Sequence, residues 1–294
     1  MEKCIVHFLP AMAGDCILIE LEHPDCILID CGYKTTYNTE LRPLLLRLNA
    51  EGYRISLMII SHIDRDHIEG AVHFLRENGD AEIPAIIPVD EIWINGFFNT
   101  LFPRLEFKHR EIDELSLEER KMLSDKLKSL KMSFPDEGYI SAAQCKALER
   151  LCVQNGYRVN CSCPDRIVKR SAMRYSEVAT NRISIAGCQI AILNPGEPQL
   201  EALSRELDRE MIRWFGRDYK IQQSDEFTQR FELLRELYEE PTSSEPIMAM
   251  SANLKSWLGT SSLTPMNAVN RSSIVVEIIY HGRNMLFTGD GESA

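Results

Sequence analysis

The sequence predicts an α/β fold of layered sheets and helices, on three observations. Three short, Ile-rich runs separated by turn residues fill the first 31 or so positions, "CIVHFLP", "CILIELE" and "CILIDCG". A helical stretch then leads into the wholly apolar run "ISLMII", and a second helical stretch follows it. Far along the chain, "SSIVVEIIYHGRNMLFTGD" reads as two strands about a tight turn. Apolar β-branched runs bounded by Gly, Pro and Asp are strand signals. Strand, helix, strand order indicates a sheet covered by helices.

In chain order, the breaks "AGD" and "HPD" make the first three strands a meander. Residues 39 to 51 place Leu41, Leu44, Leu45 and Leu48 at helical spacing, and Pro43 is tolerated in a first turn. "ISLMIIS" is a buried strand, "IEGAVHFLREN" a helix with Ile68, Val72 and Leu75 facing inward, and "EIWING" a further strand. Between residues 97 and 180 charged stretches such as "SLEERKMLSDKLKSLK" and "SAAQCKALERLCVQNG" predict a helical insertion. Strand pattern resumes with "RISIAG" and "CQIAILNP", a second helical stretch covers residues 198 to 239, and "EPTSSEP" is a connector.

At 294 residues and 44% hydrophobic, the chain can bury a large single-domain core with an insertion inside it. Its formal charge of -11 argues against a surface that coats polyanions, while leaving room for a local basic groove. Lys169, Arg170 and Arg174 form one small basic group; such groups are usually a solvated face. Nine cysteines, without a signal-like segment after Met1 or a transmembrane-length run, predict a cytoplasmic, reducing setting and no membrane segment. Cys145, Cys152, Cys161 and Cys163 lack the paired C-x-x-C spacing of a structural zinc site.

The chemistry gathers in "SHIDRDHIEG", residues 61 to 70, where His62, Asp64, Asp66 and His67 follow the buried strand at once. Four such donors would be costly to bury without a cation, because buried charge must be paired or coordinated. A loop joining a strand's C-terminal end to a helix is also where open α/β sheets bind ligands.

A strand that delivers H-x-D-x-D-H into a loop, with a later strand ending in Gly289-Asp290, resembles the metallo-β-lactamase superfamily. Its usual signature is H-x-H-x-D-H; Asp64 stands at the second His, as in the ComEC-like branch. "LIDCG", with Asp30 and Gly32, and "NRSSIVVEIIYHGRNMLFTGD" match further elements of that pattern.

The resemblance implies an αββα sandwich in which His62 and Asp64 face one metal, Asp66 and His67 the other, and Asp290 bridges them. Asp30 would lie behind the ligands and fix the loop through hydrogen bonds. Asp66 and His67 would be catalytic, Asp66 orienting a metal-bound hydroxide. Two imidazoles and two carboxylates suit zinc, manganese or iron, and a carboxylate in place of the second His makes the site more tolerant of manganese or magnesium; one or two ions, zinc or manganese, are expected.

Relatives by resemblance include nucleases, so the expected activity is hydrolysis of a phosphodiester of DNA or RNA. The family's third element presents a His where "ILNPGEP" has Asn194, a weak ligand at most and equally a turn residue. Its final His follows the Gly-Asp element, whereas the sequence stops at Ala294. The expectation is therefore a fold whose second half is incomplete after residue 294. The alternative to a competent nuclease is a regulated hydrolase subunit, inactive until a further segment or partner chain completes it.

Overall fold

The structure, a computed structural model, describes residues 4–100, 137–171, 181–215 and 267–291. By its contacts the chain divides into two units, the first comprising Met1–Phe107, Phe134–Lys220 and Ala268–Ala294. The second, Lys108–Ser133 with Ile221–Asn267, falls outside the described residues except for Asn267. "SLEERKMLSDKLKSLK", Arg174, most of the helical stretch after 215 and the connector "EPTSSEP" also lie outside them.

The first unit carries two sheets. In one, β1 (Ile5–Phe8), β2 (Ile17–Glu20) and β3 (Asp25–Ile29) form an antiparallel meander, as the turns "AGD" and "HPD" predict. β4 (Arg54–Ile59) and β5 (Ile92–Trp93) then add in parallel, giving the order β1-β2-β3-β4-β5. The parallel β3 to β4 step needs a crossover. It is supplied by a helical turn at Lys34–Thr36, a π turn at Tyr37–Leu41 and helix α1 (Arg42–Ala50), which buries Leu45 and Leu48.

After β4 comes helix α2 (Arg65–Asn78), and Ile68, Val72 and Leu75 are buried on it as the periodicity requires. The described part of the insertion contains helix α3 (Glu137–Gln154), which packs against α2.

The second sheet is antiparallel throughout, in the order β6-β7-β8-β9: β6 (Ile183–Ile185), β7 (Cys188–Asn194), β8 (Val275–Tyr280) and β9 (Arg283–Phe287). Helix α4 (Glu197–Phe215) follows β7. β8 and β9 are joined at His281-Gly282, both with positive φ (48° and 73°), the backbone a two-residue hairpin with right-twisted strands demands.

One core lies between the sheets. Ile19, Ile27, Ile29, Leu57, Ile59 and Trp93 from the first meet Ile190, Ile192, Val276, Ile278 and Phe287 from the second. The alternate positions Leu18, Cys26, Leu28 and Met58 are also fully buried, so the first sheet is covered on both faces. Two sheets packed face to face, with several helices, are consistent with the expected metallo-β-lactamase type of sandwich. No described helix is long and apolar enough to cross a membrane.

Candidate metal centre

The C-terminal ends of the parallel strands β3 and β4 supply the site. β4 ends at Ile59, and Ser61, His62 and Ile63 lead to Asp64, the extended residue that starts α2. Asp66 and His67 therefore occupy the first turn of α2, so the motif is part loop and part helix. Asp64 makes no side-chain cap bond to its own helix.

Five close contacts fix this loop. Gly70 on α2 lies so near the Cys31 carbonyl that a Cβ there would be 2.2 Å from its oxygen, so any larger residue must push the helix away. The same helix is tied to the end of β3 by Cys31 N donating to the His67 carbonyl at 3.2 Å and Gly70 N to the Gly32 carbonyl at 2.8 Å. From the second sheet, Ile274 N donates to the Ser61 carbonyl at 2.7 Å, and Gly289 is pressed against Ser61. Asp290 is thereby carried to the motif.

The distances show what converges. His62 Nε2 lies 3.7 Å from an Asp64 oxygen and 3.9 Å from Asp290 Oδ2. His67 Nε2 lies 3.8 Å from an Asp66 oxygen and 3.7 Å from Asp290 Oδ1. The two imidazole centroids are 4.1 Å apart. Asp290 thus stands between two His-Asp pairs, with one oxygen toward each.

Asp30, fully buried at the end of β3 and at φ 53°, orders both rings from behind. Its Oδ1 accepts from Ser61 N at 2.7 Å; its Oδ2 accepts from Ser61 Oγ at 2.5 Å and faces His67 Nδ1 at 2.9 Å. A carboxylate can only accept, so His67 carries its proton on Nδ1. Ser61 Oγ has spent its one proton on Asp30, so at 3.0 Å it accepts from His62 Nδ1. Both rings therefore turn a bare Nε2 lone pair into the site when neutral, the tautomer a metal-ligating histidine needs.

Those two Nε2 atoms are buried and have no hydrogen-bond partner. Buried polar atoms are rarely left so, and two of them facing three carboxylates fit a divalent cation. Burial, with His67 alongside, lowers the His62 pKa to about 3. Burial also acts to lower that of His67, but the bond to Asp30 and the charges of Asp30, Asp66 and Asp290 outweigh it and raise it to about 9. Burial, then the charges of Asp66 and Asp30, raise the Asp290 carboxyl above its usual range against the pull of His67.

Asn194 is placed differently from His62, His67 and Asp290. At the end of β7, its side-chain amide donates to the Arg271 carbonyl at 2.9 Å and the Ser273 carbonyl at 2.8 Å, bracing the approach to β8. Among the described residues one group of His, Cys, Asp and Glu close enough to share an ion joins His62, His67 and Asp290, and a second joins Asp15, Asp30 and His67. All nine cysteines are free thiols, and none of them joins such a group.

Two neighbours escape a reading of the motif alone. Asn270, first residue of "NRSS", directs its side-chain amide at Asp290 Oδ2 from 3.4 Å, the outer edge of hydrogen-bond range. Asp15, in the "AGD" turn, shares the second close group with Asp30 and His67. For Asn270 the sequence signal was its place at the head of "NRSS" in the resemblance; for Asp15 it was only a polar residue beside a Gly in a turn, which turn chemistry already accounts for.

The family model of the metallo-beta-lactamase superfamily matches residues 9–130, a span that includes Asp15, Asp30 and the whole motif from His62 to His67. No curated protein matches the chain. The family likeness supports a metal-dependent hydrolase in general, in a superfamily whose members typically hold divalent metals.

Proposed function

We propose that the chain hydrolyses phosphodiesters of DNA or RNA with one or two divalent ions, zinc or manganese, held by His62, Asp64, Asp66, His67 and Asp290. The observation that carries the metal reading is the pair of orphaned, buried Nε2 atoms facing three carboxylates. His62 and Asp64 would hold one ion, Asp66 and His67 the other, with Asp290 shared.

A bound divalent cation supplies Lewis acidity toward the phosphoryl oxygens and makes water nucleophilic at neutral pH. The remaining work falls to the chain. Asp30 keeps both imidazole rings oriented through Nδ1, and Asn270 steadies the Asp290 carboxylate. Asp66, 21% exposed in its side chain, can orient the attacking water and take up its proton at a carboxylate oxygen.

The phosphodiester assignment is supported by the resemblance of the Asp-rich motif, His62 to His67, to the branch of the superfamily that cleaves nucleic acids. The experiment is cleavage of single- and double-stranded DNA and RNA with Mn2+ or Zn2+. Cleavage that Asp66→Ala abolishes supports the assignment; metal binding without cleavage of any of these polymers contradicts the substrate class.

A second reading, a hydrolase subunit completed by a further segment or partner chain, is favoured by the donor set, which has two imidazoles only. It is also favoured by β9, which among the described residues is an edge strand of its sheet and leaves Leu286 60% exposed. Cleavage only when a further segment or partner is present would select it.

A further inference from the structure

Asn194 stands where the resemblance puts a histidine ligand, yet its side chain is spent on main-chain carbonyls. The backbone accounts for this. β7 and β8 shift register between Ile192 and Asn194, and an irregularity of this kind at a strand end re-aims the side chain that follows it. The re-aimed amide meets the chain where the helical turn Ala268–Arg271 runs into β8. One NH2 group serves two acceptors there, the Arg271 carbonyl at 2.9 Å and the Ser273 carbonyl at 2.8 Å.

Those two carbonyls belong to the segment that reaches the metal centre from the second sheet. Ser273 N donates to the Asn270 carbonyl at 3.0 Å and Ser272 Oγ to the Val269 carbonyl at 2.6 Å, so residues 269 to 273 form one tight bend. From this bend Asn270 directs its amide at Asp290 Oδ2 from 3.4 Å, while Ile274 N, just beyond it, donates to the Ser61 carbonyl at 2.7 Å. Ser273, fully buried, lies under the turn that carries Asp290: a Cβ on Gly289 or Gly291 would come 3.5 or 3.4 Å from its own. The Asp290 side chain is partly exposed, with Oδ2 toward His62 and Oδ1 toward His67. Packing alone fixes such a carboxylate poorly, so the polar contact decides which oxygen faces which ring.

We propose that Asn194 is a positioning residue of the metal centre: by tying down the bend 269–273 it holds Asn270, and through Asn270 the Asp290 carboxylate, with one oxygen toward each imidazole. The inference rests on the metal-binding reading above and deepens it. Asn194 then touches no cation. A position that the resemblance gives to a ligand serves, in this chain, to aim a ligand carried at the end of β9.

The test is calorimetric titration of the metal-free chain with Mn2+, paired with urea unfolding of the same metal-free variants. Asn194→Asp keeps the shape of the side chain, removes both donors and supplies a better metal ligand, so the two roles predict opposite signs. A positioning role predicts Mn2+ binding weaker by about tenfold or more; a ligand role predicts tighter binding, which would overturn the proposal. Asn194→Ala, which introduces no charge, is expected to weaken binding to a similar degree. Asn270→Ala should weaken it several-fold, and the two alanine variants combined should lose little more than the worse of them alone, since both act on one carboxylate. Losses that simply multiply, or wild-type affinity in Asn194→Ala despite a lowered urea midpoint, mark a residue that only supports the fold and overturn the proposal. A wild-type chain that takes up no Mn2+ overturns the metal reading itself, so the two failures are distinguishable.

Discussion

Asp30 accepts from the main chain and the hydroxyl of Ser61 and holds His67 Nδ1, all without contact with solvent. Asparagine tolerates the same left-handed backbone, so Asp30→Asn removes the charge and turns one accepting oxygen into a donor facing the donors Ser61 and His67. It is expected to cost about 3 kcal/mol in urea unfolding, the scale for breaking a buried charged pair, and to weaken metal binding about 10-fold to 100-fold. The two imidazoles give the metal-free chain a pH dependence of known sign. His67 is raised from 6.5 to about 9, so its contribution is full below 6.5 and is lost as pH rises through about 9. His62 is lowered from 6.5 to about 3, so its contribution is present above 6.5 and is lost as pH falls toward about 3. Metal-free stability, measured by denaturant midpoints across pH, is therefore expected to peak near 6.5, and metal affinity to rise with pH up to about 9 as the His67 proton is removed more easily. The nearness of His62, Asp64, Asp66 and His67 to one another was legible in their spacing, and Gly289-Asp290 at the end of the last hairpin pointed to the carboxylate that lies beside the two imidazoles. Asp15 was not legible, because its proximity to Asp30 and His67 exists only after the β1–β2 turn has folded onto the motif.

At the scale of elements, α2 is both the carrier of Asp66 and His67 and the helix that seals the end of β3. Gly70 is the point of contact. Gly70→Ala would force a methyl group into the Cys31 carbonyl, and the expected cost is about 1–3 kcal/mol, the scale of overpacking, with a matching loss of metal affinity as the first turn of α2 is displaced. Chemical denaturation together with Mn2+ titration checks both parts. The strands β1 to β4 and β6 to β9 could be read from the sequence because Ile and Val runs bounded by Gly, Pro and Asp leave few alternatives. The start of α2 could not be placed as well. Its first turn is built from motif residues, so the helical apolar repeat becomes visible only at Ile68, three residues after the helix begins. Likewise "EIWING" reduces to the two-residue β5, since Asn95 turns its amide away from the sheet to the Val168 carbonyl at 2.7 Å.

For the molecule as a whole, the site is where the two sheets of the sandwich are joined. His62 and His67 follow β4 of the first sheet and Asp290 follows β9 of the second, so a shared cation would tie one sheet to the other. Metal is therefore expected to stabilise the fold, by about 2.7 kcal/mol at a free concentration of 100 times Kd. Asp290→Asn should remove most of that gain in thermal melts while changing the metal-free melt little, because its side chain is 42% exposed. The acidic charge of -11 fits a protein that holds cations rather than one that coats nucleic acid, and any polymer substrate must be met locally. The most direct measurement is anomalous diffraction from crystals of the full chain grown with Mn2+ or Zn2+, recorded at the absorption edge of the metal. The expected result is one or two peaks within coordination distance of His62 Nε2, His67 Nε2 and the Asp290 carboxylate. Bound metal found only elsewhere on the chain, with these three groups paired to each other or to water, would contradict the account.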